Sequence, residues 1–318
     1  MHVPNHLLSP EVAILGGVVA ATLIGVAVTK VKRDSSRENF LLAGTLGAFV
    51  FAIQMLNFAI GDIGCSGHLI GGILLAAMLG KWLGFLTLAG VLTIQTLLFA
   101  DGGIMALGWN ILNMAAIGTL VAYPLIFAPI VRRSTSSWRL FFASILASVV
   151  AVELGAAGVV LESGASGISS LPVGRFMGFM LPIHLIIGAV EGVVVGGILV
   201  LVAKHQPAMI ELFGKRSKAL SLNPKGVIAG FALSALLVGG ALSLIASERP
   251  DGLEWSISRT LQGESLATLS EIHATADSLQ ETIAIAPDYE GDHTGLIATA
   301  GILLFAWVGR GKKTKVRE

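Results

Sequence analysis

Long apolar segments, separated by short polar or charged stretches, repeat along most of this chain. A helix rises about 1.5 Å per residue, so roughly 20 apolar residues cross the ~30 Å hydrocarbon core of a membrane. The pattern predicts nine helices, and the third is too short to span a membrane without tilting or local thinning. They cover residues 11–29, 39–60, 68–80, 83–100, 104–128, 140–161, 181–203, 226–246 and 294–309. We therefore expect an all-α, polytopic membrane protein.

The composition agrees with this pattern. Hydrophobic residues make up 54% of the 318 positions, charged residues make up 13%, and 39 residues are glycine. Frequent glycine is expected where membrane helices approach closely, because lipid provides no hydrophobic driving force for helix association. The net charge of +1 gives no indication of nucleic-acid binding. The single cysteine, Cys65, excludes an internal disulfide.

The lysines and arginines fall mostly on one side of the predicted topology. With the N-terminus outside, all but three of the 21 lie in inner segments, and the exceptions are Arg175, Arg249 and Arg259. Basic loops of membrane proteins stay on the cytoplasmic side. We therefore expect the N-terminus outside the cell and the C-terminus in the cytoplasm.

The charge pattern also divides the chain. A basic inner linker at 204–225 separates a membrane domain at 1–203 from a second module at 226–318. In that module the outer segment 247–293 is rich in carboxylates, and its stretch LATLSEIHATADSLQETI has the spacing of an amphipathic helix lying on another surface. This segment is either a solvated acidic domain or a collar that raises the cation concentration at the outer mouth.

The chain begins MHVPNHLLSP, without the charged start of a signal peptide. A histidine at position 2 offers a particular chelate. The Met1 amine, the backbone nitrogen of His2 and its nearer imidazole nitrogen can close a five-membered and a six-membered ring around a metal. Such a nitrogen set suits Ni(II) or Cu(II) better than zinc, which prefers a tetrahedron. The chelate requires a retained Met1 with a free amine.

The candidate for a fourth ligand is His68, at the junction of predicted helices two and three. This junction, QMLNFAIGDIGCSGHLIGG, lies on the same outer side as the N-terminus. Its residues Gly61, Gly64 and Gly67 allow non-helical backbone to pack against another segment. A lone histidine at a helix start is more often a surface residue or a cap, but two histidines on one side of the membrane favour a metal site.

Several motifs then carry a resemblance to a known family. The start MHVP and the stretches QMLNF, SGHL, QTLLFADGG and ALGWNILNM resemble the CbiM/NikM family, over residues 1 to about 203. Members of this family are substrate-binding (S) components of energy-coupling factor (ECF) transporters for nickel and cobalt. The stretch SERPDGLEWS at 247–256 resembles the PDGLE signature of the small NikN-like companion subunit, fused here to the same chain.

The resemblance implies a fold, a function and partners. The fold is a seven-helix S-component bundle plus two further transmembrane helices that flank a small extracytoplasmic domain. The function is uptake of nickel, or alternatively of cobalt for cobalamin biosynthesis, across a bacterial or archaeal plasma membrane. The implied metal ligands are the Met1 amine, two nitrogens of His2, and His68, and the ion is a transported substrate, with no cofactor implied.

The implied partners are an ECF T component (CbiQ/NikQ-like) and an ATPase (CbiO/NikO-like). The sequence has no GxxxxGK[ST] phosphate loop, so ATP hydrolysis must come from the partner ATPase. We therefore predict a transporter subunit and no enzyme.

Four further residues are candidates for groups around the metal. Asn57 could hydrogen-bond the terminus or the His68 imidazole. Cys65 stands where threonine is familiar in the family, and it is either a soft ligand or a small residue in a tight loop. His6 is a spare ligand or, more often in such a place, a capping or surface residue. His184 has a role near the metal or pairs structurally with Glu191 on the same helical face.

Three other polar residues also need an explanation. Asn110 and Asn113 share a helical face, and either role, interhelical hydrogen bonding or part of the site, fits them equally. Asp101 begins a DGG turn and is interpreted as a cap that starts a helix.

An intramembrane hydrolase is the alternative from another functional class. Ser66, His68, Asp101 and His184 supply the residue types for nucleophilic or metal-assisted hydrolysis. However, the sequence has no HExxH pair, and Ser66 lies only two positions before His68 with no evident orienting carboxylate. We therefore favour the transporter.

Overall fold

A computed structural model of the chain describes residues 1–34, 37–132, 136–214, 224–262, 270–289 and 293–308. This part of the chain is almost entirely helical, which confirms the all-α prediction. The helices are α1 (Pro10–Asp34), α2 (Arg37–Met55), α3 (Gly72–Leu79), α4 (Lys81–Phe99), α5 (Leu107–Val131), α6 (Ser137–Ser166), α7 (Val173–His205), α8 (Pro224–Leu237), α9 (Gly252–Leu261), α10 (Glu271–Ile283) and α11 (Thr294–Val308).

Within the described residues, six helices are long and apolar enough to cross a membrane. They are α1, α4, α5, α6, α7 and the helix that begins with α8, whose last turn widens into a π-helical segment at Val238–Leu242. Helices α2 and α11 are apolar but shorter. Helix α5 also contains wide i→i+5 hydrogen bonding over Ile111–Phe127, and Pro124 lies inside that segment.

The predicted second and third helices have the wrong limits. Helix α2 ends at Met55 rather than at residue 60, because the chain enters a small antiparallel hairpin of β1 (Phe58–Ile60) and β2 (Cys65–Gly67). Gly61 and Gly64 take positive φ angles of 49° and 77° in its turn. Helix α3 therefore begins at Gly72 instead of residue 68. The expected non-helical backbone at this junction is confirmed.

The predicted seventh helix is also too short. The helix begins at Val173, directly after Pro172, rather than at residue 181. A proline at the N-cap is compatible with a helix start, because the first N–H groups of a helix have no intrahelical acceptor. Helix α7 packs along α6 through small residues. A Cβ added at Gly188 would lie 3.0 Å from the Val149 Cα, so glycine lets the two backbones approach closely.

The basic linker predicted at 204–225 is partly folded against the bundle. Its described residues form a turn at Pro207–Met209 and a short helix at Glu211–Gly214, with Ile210 and Phe213 buried. The Tyr123 hydroxyl of α5 donates to the Glu211 carboxylate at 3.0 Å. Residues 215–223 of the linker lie outside the described part, so the domain boundary stays a prediction.

The amino-terminal segment, Met1–Leu8, is buried at one end of the bundle. Met1 is 4% exposed, and Val3, Leu7 and Leu8 are completely buried. Helices α9 and α10 of the second module lie at this same end, where α9 packs against α7 and α10 packs against α4. The fold therefore encloses the chain terminus between its two modules.

Gly84 and Gly90 of α4 allow a matched test of this packing. A Cβ at Gly84 would lie 2.9 Å from backbone atoms of Leu75 and Ala76, whereas one at Gly90 would meet no atom within 4 Å. Overpacking of this kind costs about 1–3 kcal/mol. We expect Gly84→Ala to lower the thermal unfolding midpoint in detergent and Gly90→Ala to leave it unchanged or slightly raised. Equal midpoints for the two variants would contradict the α3–α4 contact.

Candidate metal site

The amide of Asn110 fixes the amino-terminal segment. Its Oδ1 accepts from the Val3 backbone N–H at 2.8 Å, and its Nδ2 donates to the Val3 carbonyl at 3.2 Å. The Gly103 N–H donates to the same carbonyl at 2.8 Å. A side-chain amide offers a donor and an acceptor with the spacing of a backbone strand, so Val3 is held as if it were paired in a sheet. The structure therefore supports the interpretation of Asn110 as part of the site.

The second module holds the same segment from its other side. Asn5 Nδ2 donates to Asp277 at 2.6 Å and to Gln280 at 3.1 Å, and His273 Nε2 donates to the Leu8 carbonyl at 2.9 Å. All three partners lie on α10, the described part of the predicted amphipathic helix. The expectation that this helix lies on another surface is confirmed for 271–283, while the stretch 266–269 lies outside the described residues.

The terminal amine meets two groups at once. The Met1 ammonium donates to His68 Nε2 at 2.8 Å and to Asp251 Oδ2 at 2.6 Å. Burial, together with the adjacent ammonium and His2, lowers the pKa of His68 to about 3. His68 is therefore neutral, with Nδ1 directed at the Leu69 carbonyl and the lone pair of Nε2 directed at the amine. A neutral imidazole with a free lone pair is the form that binds metals.

His2 lies directly over His68. The two rings stack with centroids 5.2 Å apart and planes 19° apart. His2 Nδ1 donates to Asp101 Oδ1 at 3.0 Å, and His2 Nε2 is buried without a hydrogen-bond partner. The imidazole nitrogen that the terminal chelate needs is thus engaged with a carboxylate in this state.

Asp101 belongs to the site, so its interpretation as a helix-starting cap is wrong. It follows α4, where Ala100 takes a left-handed φ of 54° and ends the helix. Its second oxygen accepts from the Tyr289 hydroxyl at 2.7 Å. Burial would raise the pKa of Asp101, but the His2 imidazole and the two hydrogen bonds outweigh burial and lower that pKa to about 2.

The PDGLE turn delivers Asp251 to the amine. Asp251 Oδ1 accepts from the Leu253 and Glu254 N–H groups at 2.9 Å, and Glu254 Oε2 accepts from the Asp251 N–H at 3.1 Å. This capping box starts α9 and leaves Oδ2 free for Met1. Burial opposes ionisation of Asp251, but the charge and the hydrogen bond of the Met1 ammonium outweigh burial and hold the pKa of that carboxyl well below its usual range.

Other residues of the PDGLE sequence, at 250–254, pack this turn against the loop at residues 66–68. The Pro250 carbonyl accepts from the Ser66 N–H at 2.9 Å, and Leu253 is buried. A Cβ at Gly252 would lie 2.9 Å from the His184 Cε1 and from the Ile187 Cδ1, so a larger residue would displace these side chains. Sequence reasoning missed Asp251, which it counted among the acidic residues of 247–293. The D-x-x-E spacing of a capping box was the available signal.

Two of the residues expected around the metal have other roles. The expected bond from Asn57 to the terminus or to His68 is wrong, since its Oδ1 is buried without a partner and its carbonyl accepts from the Ser247 N–H. Cys65 is buried in the hairpin, and its thiol donates to the Ser66 carbonyl. Burial and the charge of Asp251 raise the pKa of Cys65 to about 12, so it remains a thiol.

His184 and Glu191 do not form the expected pair. His184 Nδ1 donates to the Met180 carbonyl at 2.8 Å, and the ring lines a small cavity with Met1, His68 and Asp251. Glu191 instead accepts from the Ile70 and Gly71 N–H groups at 2.8 and 3.1 Å, and so positions the chain just after His68.

Asn113 and His6 lie away from the terminal amine. Asn113 Nδ2 donates to Glu162 of α6 at 3.0 Å, which is the interhelical hydrogen bond among its two interpretations. His6 lies in the turn Asn5–Leu7, where burial lowers its pKa, and lines a larger cavity beside the terminus. The structure therefore brings together Met1, His2 and His68, with Asp251 and Asp101 as their charged neighbours.

The structure does not place Ser66 for the hydrolase alternative. The Ser66 hydroxyl donates to the Arg249 and Pro250 carbonyls rather than to a histidine. Among the described residues, no group of three or more His, Cys, Asp or Glu side chains is placed to hold a metal ion.

Comparison with known proteins identifies the family. Residues 2–209 match the model of the CbiM family, described as the cobalt uptake substrate-specific transmembrane region. The chain belongs to the CbiM family. Residues 225–309 of this CbiM-family chain match the PDGLE domain.

Relatives and solved structures agree with this assignment. A putative metal transport protein of Haloquadratum walsbyi is 35% identical over 66% of this chain and 93% of its own length. The putative fused nickel transport protein NikMN of Archaeoglobus fulgidus is 33% identical over 80% of this chain and 84% of its own. A crystal structure of a truncated transition metal transporter superposes with a TM-score of 0.57 and 30% identity, covering 64% of this chain and 99% of that one.

The two hydrogen bonds between Asn110 and the Val3 backbone, here called the Asn110 clamp, can be tested without metal. Losing a buried two-bond contact costs about 1–3 kcal/mol, so we expect Asn110→Ala to speed acylation of the Met1 amine about tenfold. The measurement is mass spectrometry of protein treated with an amine-reactive ester in the presence of a chelator. Asn57→Ala is the control, because this equally polar residue does not touch the terminus. Identical labelling of both variants would show that Asn110 does not hold the segment.

Proposed function

We propose that this CbiM-family chain is the substrate-binding membrane component of a transition-metal uptake system, with Ni²⁺ as its substrate and Co²⁺ as the alternative. One observation carries the proposal. The terminal amine lies 2.8 Å from the neutral Nε2 of His68, with the His2 imidazole stacked on the same ring. Three groups that can each supply a nitrogen ligand are thus buried together at one end of a membrane bundle.

The proposed ligands are the Met1 amine, the backbone and Nδ1 nitrogens of His2, and His68 Nε2. Binding then requires His2 Nδ1 to exchange Asp101 for the metal, and requires the amine to release Asp251. Both carboxylates stay beside the ligands, where hydrogen bonds from such groups orient a metal site. Met1 must be retained and its amine unblocked.

Two arguments favour nickel over cobalt. An all-nitrogen set that includes a backbone amide suits the square-planar preference of Ni(II). The Archaeoglobus relative, which also spans both modules, carries a nickel transport name. Cobalt transport proteins are also among the relatives, such as a CbiM of Sorangium cellulosum that is 27% identical over 66% of this chain.

Transport requires the site to open toward the cytoplasm. We propose that the site end faces outside, as the distribution of basic residues indicates. A T component (CbiQ/NikQ-like) and an ATPase (CbiO/NikO-like) would drive the change in a plasma membrane. Withdrawing Met1–Val3 from the Asn110 clamp removes three of the four proposed ligands in one movement.

The decisive experiment extends the N-terminus. A single alanine placed ahead of Met1 moves the free amine away from His68, so we expect loss of high-affinity Ni²⁺ binding, measured by calorimetry and by metal content after purification. Chain carrying a tag only at its C-terminus is the positive control, and His68→Ala should resemble the extended form. Binding of Ni²⁺ by the extended chain as tight as by the unmodified chain would falsify the chelate.

A titration of the unmodified chain with each metal separates the two substrates. We expect Ni²⁺ to displace Co²⁺ at equal concentration, because the nitrogen set follows the Irving–Williams order as well as the planar preference. The measurement is competition calorimetry in detergent. Preferential retention of Co²⁺ would assign the chain to cobalt uptake instead.

A further inference from the structure

The side chain of Met1 is buried, although only the amine of this residue belongs to the proposed ligand set. It is 2% exposed, and it lines a cavity of about 10 Å³ together with Val152 and Ile187. A space of that size holds at most one water molecule. Chain termini are usually held loosely, so the core-like packing of this first side chain requires an explanation.

The end of the Met1 side chain lies where α5 and α6 meet. A Cβ added at Gly155 of α6 would lie 2.9 Å from the Met1 Cε and 2.8 Å from the Asn113 carbonyl oxygen of α5. Both distances are shorter than ordinary van der Waals contacts. Glycine at this position therefore leaves room for the Met1 methyl group as well as for the α5 backbone. The space bounded by Asn113, Val152 and Gly155 is here called the Met1 slot.

The α5 wall of the Met1 slot is held in place by two further residues of α6. A Cβ at Gly158 would overlap the side-chain amide of Asn113, and Glu162 accepts a hydrogen bond from Asn113 Nδ2 at 3.0 Å. Gly155, Gly158 and Glu162 are spaced by three and four positions, so they share one face of α6. Packed helices thus form the slot, and a side chain at position 1 must fit the space that they leave.

The terminal amine lies between two anchors. The Asn110 clamp holds the backbone of Val3, and the Met1 slot holds the side chain of residue 1 itself. The amine reaches His68 Nε2 at 2.8 Å from this position. Without the second anchor, residue 1 would be the free end of a short segment, and only the hydrogen bonds of its amine would keep it in place.

We propose that the Met1 slot anchors the terminal amine at His68 through the side chain of residue 1, and that Gly155 is the positioning residue that keeps the slot open. The slot therefore specifies methionine as well as a free amine. A smaller first residue would lose apolar contacts and leave a cavity. The consequence for the ion rests on the proposed function, in which the anchored amine is a ligand placed before the metal arrives, whereas the anchoring itself needs no metal.

The first test changes only the side chain of residue 1. Met1→Ala retains the amine and His2, and the variant is obtained by encoding an extra initiator methionine, which cells remove ahead of alanine. The measurement is the rate of acylation of the terminal amine in the presence of a chelator, divided by the rate for a free peptide with the same first five residues. We expect Met1→Ala to raise this normalised rate about tenfold, because the anchored state loses the burial of a methionine side chain.

The second test fills the slot from the other side. We expect Gly155→Ala to raise the normalised rate about tenfold when residue 1 is methionine, but to change it less than about twofold in combination with Met1→Ala, because the emptied slot has room for a methyl group. Gly196→Ala is the control, since its Cβ would lie 2.8 Å from the Phe141 ring between α7 and α6 and overpacks the bundle away from the terminus. We expect this control to leave the rate unchanged.

Equal normalised rates for the unmodified chain and Met1→Ala would overturn the anchor. An equal effect of Gly155→Ala with either first residue would assign that effect to general helix packing and overturn the positioning role.

Calorimetry with Ni²⁺ tests the consequence for the ion. Met1→Ala keeps all four proposed nitrogens, so we expect unchanged stoichiometry with a higher Kd, because an amine that spends less time at His68 lowers the apparent affinity. An unchanged Kd would overturn the role of the slot in metal binding. If the unmodified chain binds neither Ni²⁺ nor Co²⁺, the proposed function fails, while the acylation rates still decide whether the slot anchors the terminus.

Discussion

The Met1 ammonium, shared between His68 Nε2 and Asp251 Oδ2, is the contact on which the arrangement of this end of the molecule depends. A charged amine is costly to bury unless its donors are satisfied. Here one acceptor comes from the membrane domain and the other from the PDGLE module. The same contact therefore keeps the terminus inside the protein and attaches the second module to the first.

The surrounding structure supports this contact through backbone groups. Asn110 holds Val3, Glu191 holds the two residues after His68, and the capping box fixes Asp251 at the start of α9. In each case a side chain satisfies backbone donors that the local fold leaves free. The three site residues are consequently placed by rigid helices, although they all lie in non-helical segments.

The sequence was sufficient for features that depend on local pattern. Apolar length predicted the long helices, although not the limits of the second, third and seventh. The chemistry of a histidine at position 2, together with His68 on the same predicted side, identified residues that the structure brings together. Prediction from the sequence failed for contacts between residues that are distant in the chain. Asp251 lies 250 residues from Met1, and the preference of Glu191 for the Ile70 backbone over His184 depends on how α7 crosses the loop before α3. The hairpin at 58–67 was obscured because its short apolar strands resemble the continuation of a helix.

The clamp on Val3 also makes the protein sensitive to its own maturation. With Val3 fixed by Asn110, only two residues, at about 3.3–3.6 Å each, remain to bring the amine to His68. Chain trimmed by an aminopeptidase would present its new amine one residue too far away, and chain that kept a formyl group would present no amine at all. On the proposed ligand set, the enzymes that finish a nascent chain would therefore decide whether a correctly folded copy of this protein can hold a metal ion.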